Sequence, residues 1–88
     1  EDIYKMEWVF IDGDHQLTPT LFYFDYLIEQ LPENAVLIFD DINWSPDMQQ
    51  AWQQIIQHKK VTIALDFFFL GFVFINPSYT KQTFKLRL

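Results

Sequence analysis

Two clusters of acidic residues each close an apolar run in this sequence. Trp8-Val9-Phe10-Ile11 leads into Asp12-Gly13-Asp14-His15, and Ala35-Val36-Leu37-Ile38-Phe39 leads into Asp40-Asp41. Carboxylates converging from two strand ends supply hard oxygen donors, the set Mg²⁺ prefers while it keeps several waters. Asp12, Asp40 and Asp41 are the candidate ligands. Gly13 lets the backbone come close to a bound molecule. His15 is the one side chain in these clusters that titrates near neutral pH, as a general base must. Taken singly, an aspartate after a strand also serves as a turn or cap residue. It is the pair of clusters that favours a site.

For the clusters to meet, the runs that carry them must be neighbouring parallel strands. Both runs are continuously apolar rather than alternating, as in strands buried on both faces. Between them, Thr18-Pro19 reads as a helix start, with Thr18 as N-cap and Pro19 at the first helical position. Phe24, Leu27, Ile28 and Leu31 follow at helical spacing, and Pro32-Glu33-Asn34 stops the helix. Ser45-Pro46 repeats the start signal, with Asp47 favourable at the positive end of the dipole. Met48, Ala51, Trp52, Ile55 and Ile56 form an apolar stripe, and His58, Lys59 and Lys60 stand at the negative end. Two further strands are expected near 61–66 and 71–76, and 83–88 adds an edge strand.

The expected order is βαβαββ, with strands near 7–12 and 35–40 parallel and the one near 71–76 antiparallel to its neighbours. Two right-handed crossovers stepping the same way put both helices on one face of the sheet. The opposite face of residues 8–11 and 36–39 is then bare, and so is the outer edge of the first strand. Such a face or edge invites association, and a homo-oligomer is expected. Ligands of open α/β sheets bind outside the carboxyl ends of the strands, where both acidic clusters fall. Trp44 reads as a lid over the core in preference to a pocket wall, and Phe67-Phe68-Phe69 as core and turn packing. Met48 and Trp52 read as core.

Composition narrows the classes. At 88 residues the chain is one domain at most, and half of it is apolar, so it is not a disordered tail. A formal charge of −6 disfavours phosphate backbones as partners. The absence of cysteine excludes disulfides and thiolate metal sites and fits a cytoplasmic setting. The longest apolar run, 67–75, is too short to span a bilayer. Glu1 and Asp2 open the chain without a signal-peptide pattern, and a strand begins almost at once, so residues 1–88 read as part of a larger domain.

The run 8–15, ending in FIDGDH, resembles the fourth-strand motif of class I S-adenosylmethionine-dependent methyltransferases. The run 35–41, AVLIFDD, resembles the fifth strand and its acidic pair. Ile42-Asn43-Trp44-Ser45-Pro46 and Leu70-Gly71-Phe72-Val73-Phe74 are similar to bacterial members of the same subgroup. The resemblance covers nearly the whole chain. It implies the C-terminal half of a Rossmann-like α/β sheet, with strands in the order 4-5-7-6 and the last strand antiparallel. It further implies methyl transfer from S-adenosylmethionine to an oxygen of a small molecule, with Asp12, Gly13 and Asp14 against the cofactor. Asp12, Asp40 and Asp41 would hold Mg²⁺, and His15 would be the base. The family's glycine-rich loop has no counterpart, since Gly13 and Gly71 are the only glycines, so these residues alone are expected to be inactive. Two alternatives stand beside this reading. One is a glycosyltransferase fragment using Asp12-Gly13-Asp14 as a metal-binding Asp-x-Asp. The other is a non-enzymatic α/β interaction module.

Overall fold

The computed structural model describes residues 6–11 and 17–87. The elements follow as β1 (Glu7–Ile11), α1 (Leu17–Ile28), β2 (Ala35–Asp40), α2 (Pro46–Ile56), β3 (Ile63–Asp66), β4 (Leu70–Phe74) and β5 (Gln82–Lys85). They form an α/β domain in which two helices cover one five-stranded mixed sheet, ordered β1-β2-β4-β3-β5. The strands run parallel across β1 and β2, with Ile11 opposite Phe39. Three residues are too few for a crossover, so the 67–69 turn makes β4 fold back antiparallel on β3. The second crossover leaves one strand position open, and β4 fills it, pairing antiparallel with β2 as well. β5 is the expected edge strand, parallel to β3.

Because side chains alternate along a strand, register sorts the sheet into two faces. Leu37, Phe39, Ala64 and Val73 face the helices and are buried with Phe24 and Ile28 of α1 and Trp52 and Ile55 of α2. Both helices therefore lie on the same face, as two crossovers of one hand require. The Phe39 ring sits 5.9 Å from that of Phe24 and 6.0 Å from that of Trp52. Gly71 faces the same layer. A Cβ there would fall 2.5 Å from Trp52 Cη2, so the close approach of indole and strand requires glycine.

The α2 start follows its sequence signal: Ser45 is the N-cap, its Oγ accepting from the Met48 N–H at 3.2 Å, and Pro46 is the first helical residue. α1 departs from its own. It begins at Leu17, so Thr18 lies inside the helix rather than capping it, and Pro19 stands in the first turn, where no intrahelical acceptor awaits its missing N–H. The cation at the end of α2 also differs from expectation. His58 packs edge-on against Phe24, and its Nδ1 accepts from the Lys60 N–H. Lys81, far along the chain, donates instead to the carbonyls of Ile56, His58 and Val61 at 3.2, 3.1 and 2.8 Å.

The face away from the helices carries Trp8, Phe10, Ile38, Phe72, Phe74 and Phe84 by register. Trp8, Phe10 and Phe84 are exposed there. Val36 is the exception to the expected bareness. It is buried between Trp8 and Phe74, near where Tyr79 lays its ring against Phe74. No helix among the described residues is long and apolar enough to cross a membrane.

Candidate functional site

Of the strands that run in the common direction, β1, β2 and β3 end at Ile11, Asp40 and Asp66, and these three ends share one edge of the sheet. This is the edge at which open α/β sheets bind ligands. Asp40 closes β2 and is half-buried, and its Oδ1 accepts from the Asp41 N–H at 2.9 Å. Asp41 turns the chain with φ 56°, a left-handed conformation that aspartate tolerates better than most residues. That turn brings the two adjacent carboxylates to the strand end before Ser45 starts α2.

Asp12, Gly13, Asp14 and His15 lie outside the described residues, so the expected meeting of Asp12 and His15 with Asp40 and Asp41 stays an expectation. Among the described residues, no three His, Cys, Asp or Glu side chains group as a metal cluster.

The third strand end adds a residue that the sequence reading passed over as mere strand terminus. Asp66 is buried, and its carboxylate is engaged twice: Oδ1 accepts from the Phe68 N–H at 2.8 Å and from Arg87 Nη1 at 3.4 Å. It organises the turn that follows. Phe68 stands there at φ 73°, a conformation that costs a bulky residue free energy and persists only where its surroundings enforce it. Those surroundings are explicit. The Asp41 N–H donates to the Phe69 carbonyl at 2.8 Å, Asn43 Nδ2 donates to the Phe68 carbonyl at 2.7 Å, and the Arg87 guanidinium lies 5.3 Å from the Phe68 ring centre. The β2–α2 loop and the β3–β4 turn are thus latched to one another.

The latch turns aromatic rings outward. Trp44, expected as a core lid, is 65% exposed, and Phe69, expected as packing, is 69% exposed. Phe68 is exposed as well. An open hollow of about 350 Å³ is lined by Phe67, Phe68, Phe69, Leu86 and Arg87. A hollow of about 330 Å³ at the opposite end of the strands, with Lys59 and Lys60 on its rim, lies away from Asp40 and Asp41. The only sequence signal for the aromatic rim was its position directly after strand ends, since apolar residues that follow a strand read equally as core.

The carboxyl edge thus combines an acidic pair on a fixed turn with an adjoining wall of aromatic rings. Chemically, it offers oxygen donors to a cation and flat apolar surface to a planar organic molecule. No family model, characterised protein or solved structure matches the chain.

Proposed function

We propose that these residues form the acceptor side of a class I S-adenosylmethionine-dependent methyltransferase that methylates an oxygen of a small molecule. The observation that supports this reading most is the strand order β1-β2-β4-β3 with β4 alone antiparallel, ending in an acidic pair at the carboxyl edge of β2. That is the order 4-5-7-6 which the sequence resemblance implies for a Rossmann-like methyltransferase sheet.

The donors fit a hard cation in type. Asp40 and Asp41 are adjacent carboxylates, Asp66 accepts from Phe68 and Arg87, and Asp12 is the third donor the reading calls for. Mg²⁺ held by Asp12, Asp40 and Asp41 would lower the pKa of the acceptor hydroxyl. His15 would take the proton of that hydroxyl, and the Trp44, Phe68 and Phe69 rings would hold a planar acceptor beside it. The principal cofactor cradle is another matter. Gly71 is packed against the Trp52 indole and cannot serve as a phosphate- or ribose-binding glycine. The reading therefore calls for a glycine-rich loop beyond these residues, with Asp12, Gly13 and Asp14 as this chain's share of the cofactor site, in a cytoplasmic enzyme.

Thermal shift of the protein carrying these residues tests the proposal, with S-adenosylhomocysteine, UDP and Mg²⁺ as separate and combined additives. Stabilisation by S-adenosylhomocysteine is expected. Stabilisation by UDP with Mg²⁺ instead would favour a glycosyltransferase, and no response to any of them would favour an interaction module. Either result overturns the proposal.

A further inference from the structure

The aromatic wall at the carboxyl edge has a cation built into it. The hollow of about 350 Å³ is lined by Phe67, Phe68, Phe69, Leu86 and Arg87, and Arg87 is the charged member of that lining. The Phe68 and Phe69 rings stand 4.9 Å apart at 88°, so the wall is a corner made of a flat face and an edge. An apolar cavity of about 150 Å³ already holds a benzene ring. The hollow therefore has room for one ring with a substituent at each end.

Arg87 is held in place by one side of its guanidinium. Nη1 donates to the Asp66 carbonyl at 3.0 Å, to the Leu86 carbonyl at 3.2 Å and to Asp66 Oδ1 at 3.4 Å. Asp66 is 4% exposed, so the group that orients the guanidinium is itself fixed. All three contacts run through Nη1. The edge made by Nε and Nη2, whose two N–H groups match the two oxygens of a carboxylate, has no partner among the described residues. Half of the Arg87 side chain is open to solvent. The chain's formal charge of −6 repels anions at long range, so an anion that binds here needs a cation at close quarters.

We propose that this hollow takes an aromatic acid, with Arg87 as the residue that selects its carboxylate, and that this acid is the methyl acceptor. The ligand's role as acceptor rests on the methyltransferase reading, while the binding site rests on the hollow and Arg87. Strand spacing sets where the hydroxyl must be. Arg87 is bonded at the end of β3, and Asp40 and Asp41 lie at the end of β2, two strands away across β4, or about 10 Å. An acid and a hydroxyl on neighbouring ring carbons cannot reach both ends of that span, so the hydroxyl belongs on the far side of the ring from the acid. A phosphate carries a second negative charge toward Asp40, Asp41 and Asp66, which favours the singly charged carboxylate. The further strands that the methyltransferase reading calls for would pair at β1, the opposite edge of the sheet from β5, and so leave this hollow to a ligand.

Equilibrium dialysis with para-hydroxybenzoate and its uncharged amide tests the site, in the protein carrying these residues and without S-adenosylmethionine. The acid should bind at least about ten-fold more tightly than the amide. Arg87→Met should weaken the acid by about that factor and leave the amide as it was, and Arg87→Lys should restore only part of the loss, since an ammonium lacks the fork. Leu86→Trp fills the hollow and keeps the main-chain N–H that donates to Asp66, so it should abolish binding of both. Equal affinity for acid and amide, binding of neither, or an Arg87→Met protein that loses both alike would each overturn the proposal. Should Arg87→Met fail to fold by circular dichroism, the acid–amide comparison and Leu86→Trp decide, and unchanged acid binding in Leu86→Trp overturns it. Under turnover, the para isomer should accept labelled methyl and the ortho isomer should not; the reverse would overturn the assigned span. The two readings fail separately. Stabilisation by S-adenosylhomocysteine without preference for the acid keeps the methyltransferase and sinks this proposal. Arg87-dependent acid binding without any response to S-adenosylhomocysteine keeps the carboxylate site and overturns its role as the acceptor's.

Discussion

Gly71 and Trp52 illustrate how a single residue takes its meaning from a partner far away in the chain. The indole lies where a Cβ on residue 71 would be, and Trp52 is buried with no partner for its Nε1 among the described residues. Gly71→Ala should therefore cost about 1–3 kcal/mol of stability by overpacking. In a Trp52→Phe background the same change should cost distinctly less, since the crowded ring edge is gone. Urea unfolding of the four proteins measures both, and equal costs in the two backgrounds would contradict the packing account. Phe68 poses the opposite case. Phe68→Gly relieves a left-handed backbone worth roughly 1–2 kcal/mol and gives up a cation–π contact of about 0.5–1 kcal/mol. Stability should stay within about 1 kcal/mol of the parent, and a much larger loss in the same experiment would show that the ring itself anchors the turn. At this scale, helical spacing made Trp52 legible as core. It left Trp44 and Phe69 illegible, because an aromatic residue in a loop has no period to say which way it turns.

Elements were legible where their signals are local. The strands, the Ser45 cap and the apolar stripe of α2 all follow from neighbouring residues, and Ser45→Ala should cost about 1 kcal/mol. The finish of α2 was not legible, because its cation comes from Lys81, across β3 and β4 in the chain. Lys81 satisfies three carbonyls at once and stands immediately before β5, whose Gln82 N–H donates to the Thr62 carbonyl. Lys81→Met should therefore cost about 1–2 kcal/mol. It should also loosen one strand selectively: amide hydrogen exchange should quicken at Gln82 and Leu86 more than at β2 or β4. Unchanged exchange in β5 would mean that the edge strand holds without its lysine. The α1 start was misread by the same logic. Thr18-Pro19 is a valid local signal, but the helix begins two residues before Pro19, at Leu17, where residue preference alone does not decide.

For the molecule as a whole, the parallel pairing of β1 with β2 and the placement of both helices on one face followed from crossover handedness alone. The insertion of β4 between β2 and β3 did not; only the order 4-5-7-6 implied by the resemblance anticipated it, because the local pattern specifies a hairpin without saying on which side of β3 it lies. Long-range pairing also creates the part of the edge that the sequence did not reveal. The Asp41–Phe69 and Asn43–Phe68 hydrogen bonds join two loops separated by α2 and β3, and they set the aromatic wall beside the acidic pair. The central claim is that this edge is where a hydroxyl accepts a methyl group. Transfer of labelled methyl from S-adenosylmethionine, in the protein carrying these residues, measures it most directly. Asp41→Asn keeps the left-handed turn and the shape, and His15→Ala removes the proposed base. The account predicts that His15→Ala lowers kcat/KM by about 10²–10⁴-fold and that Asp41→Asn also causes a large loss, both with melting temperatures close to the parent's. Parental rates in both variants, at parental stability, would contradict it.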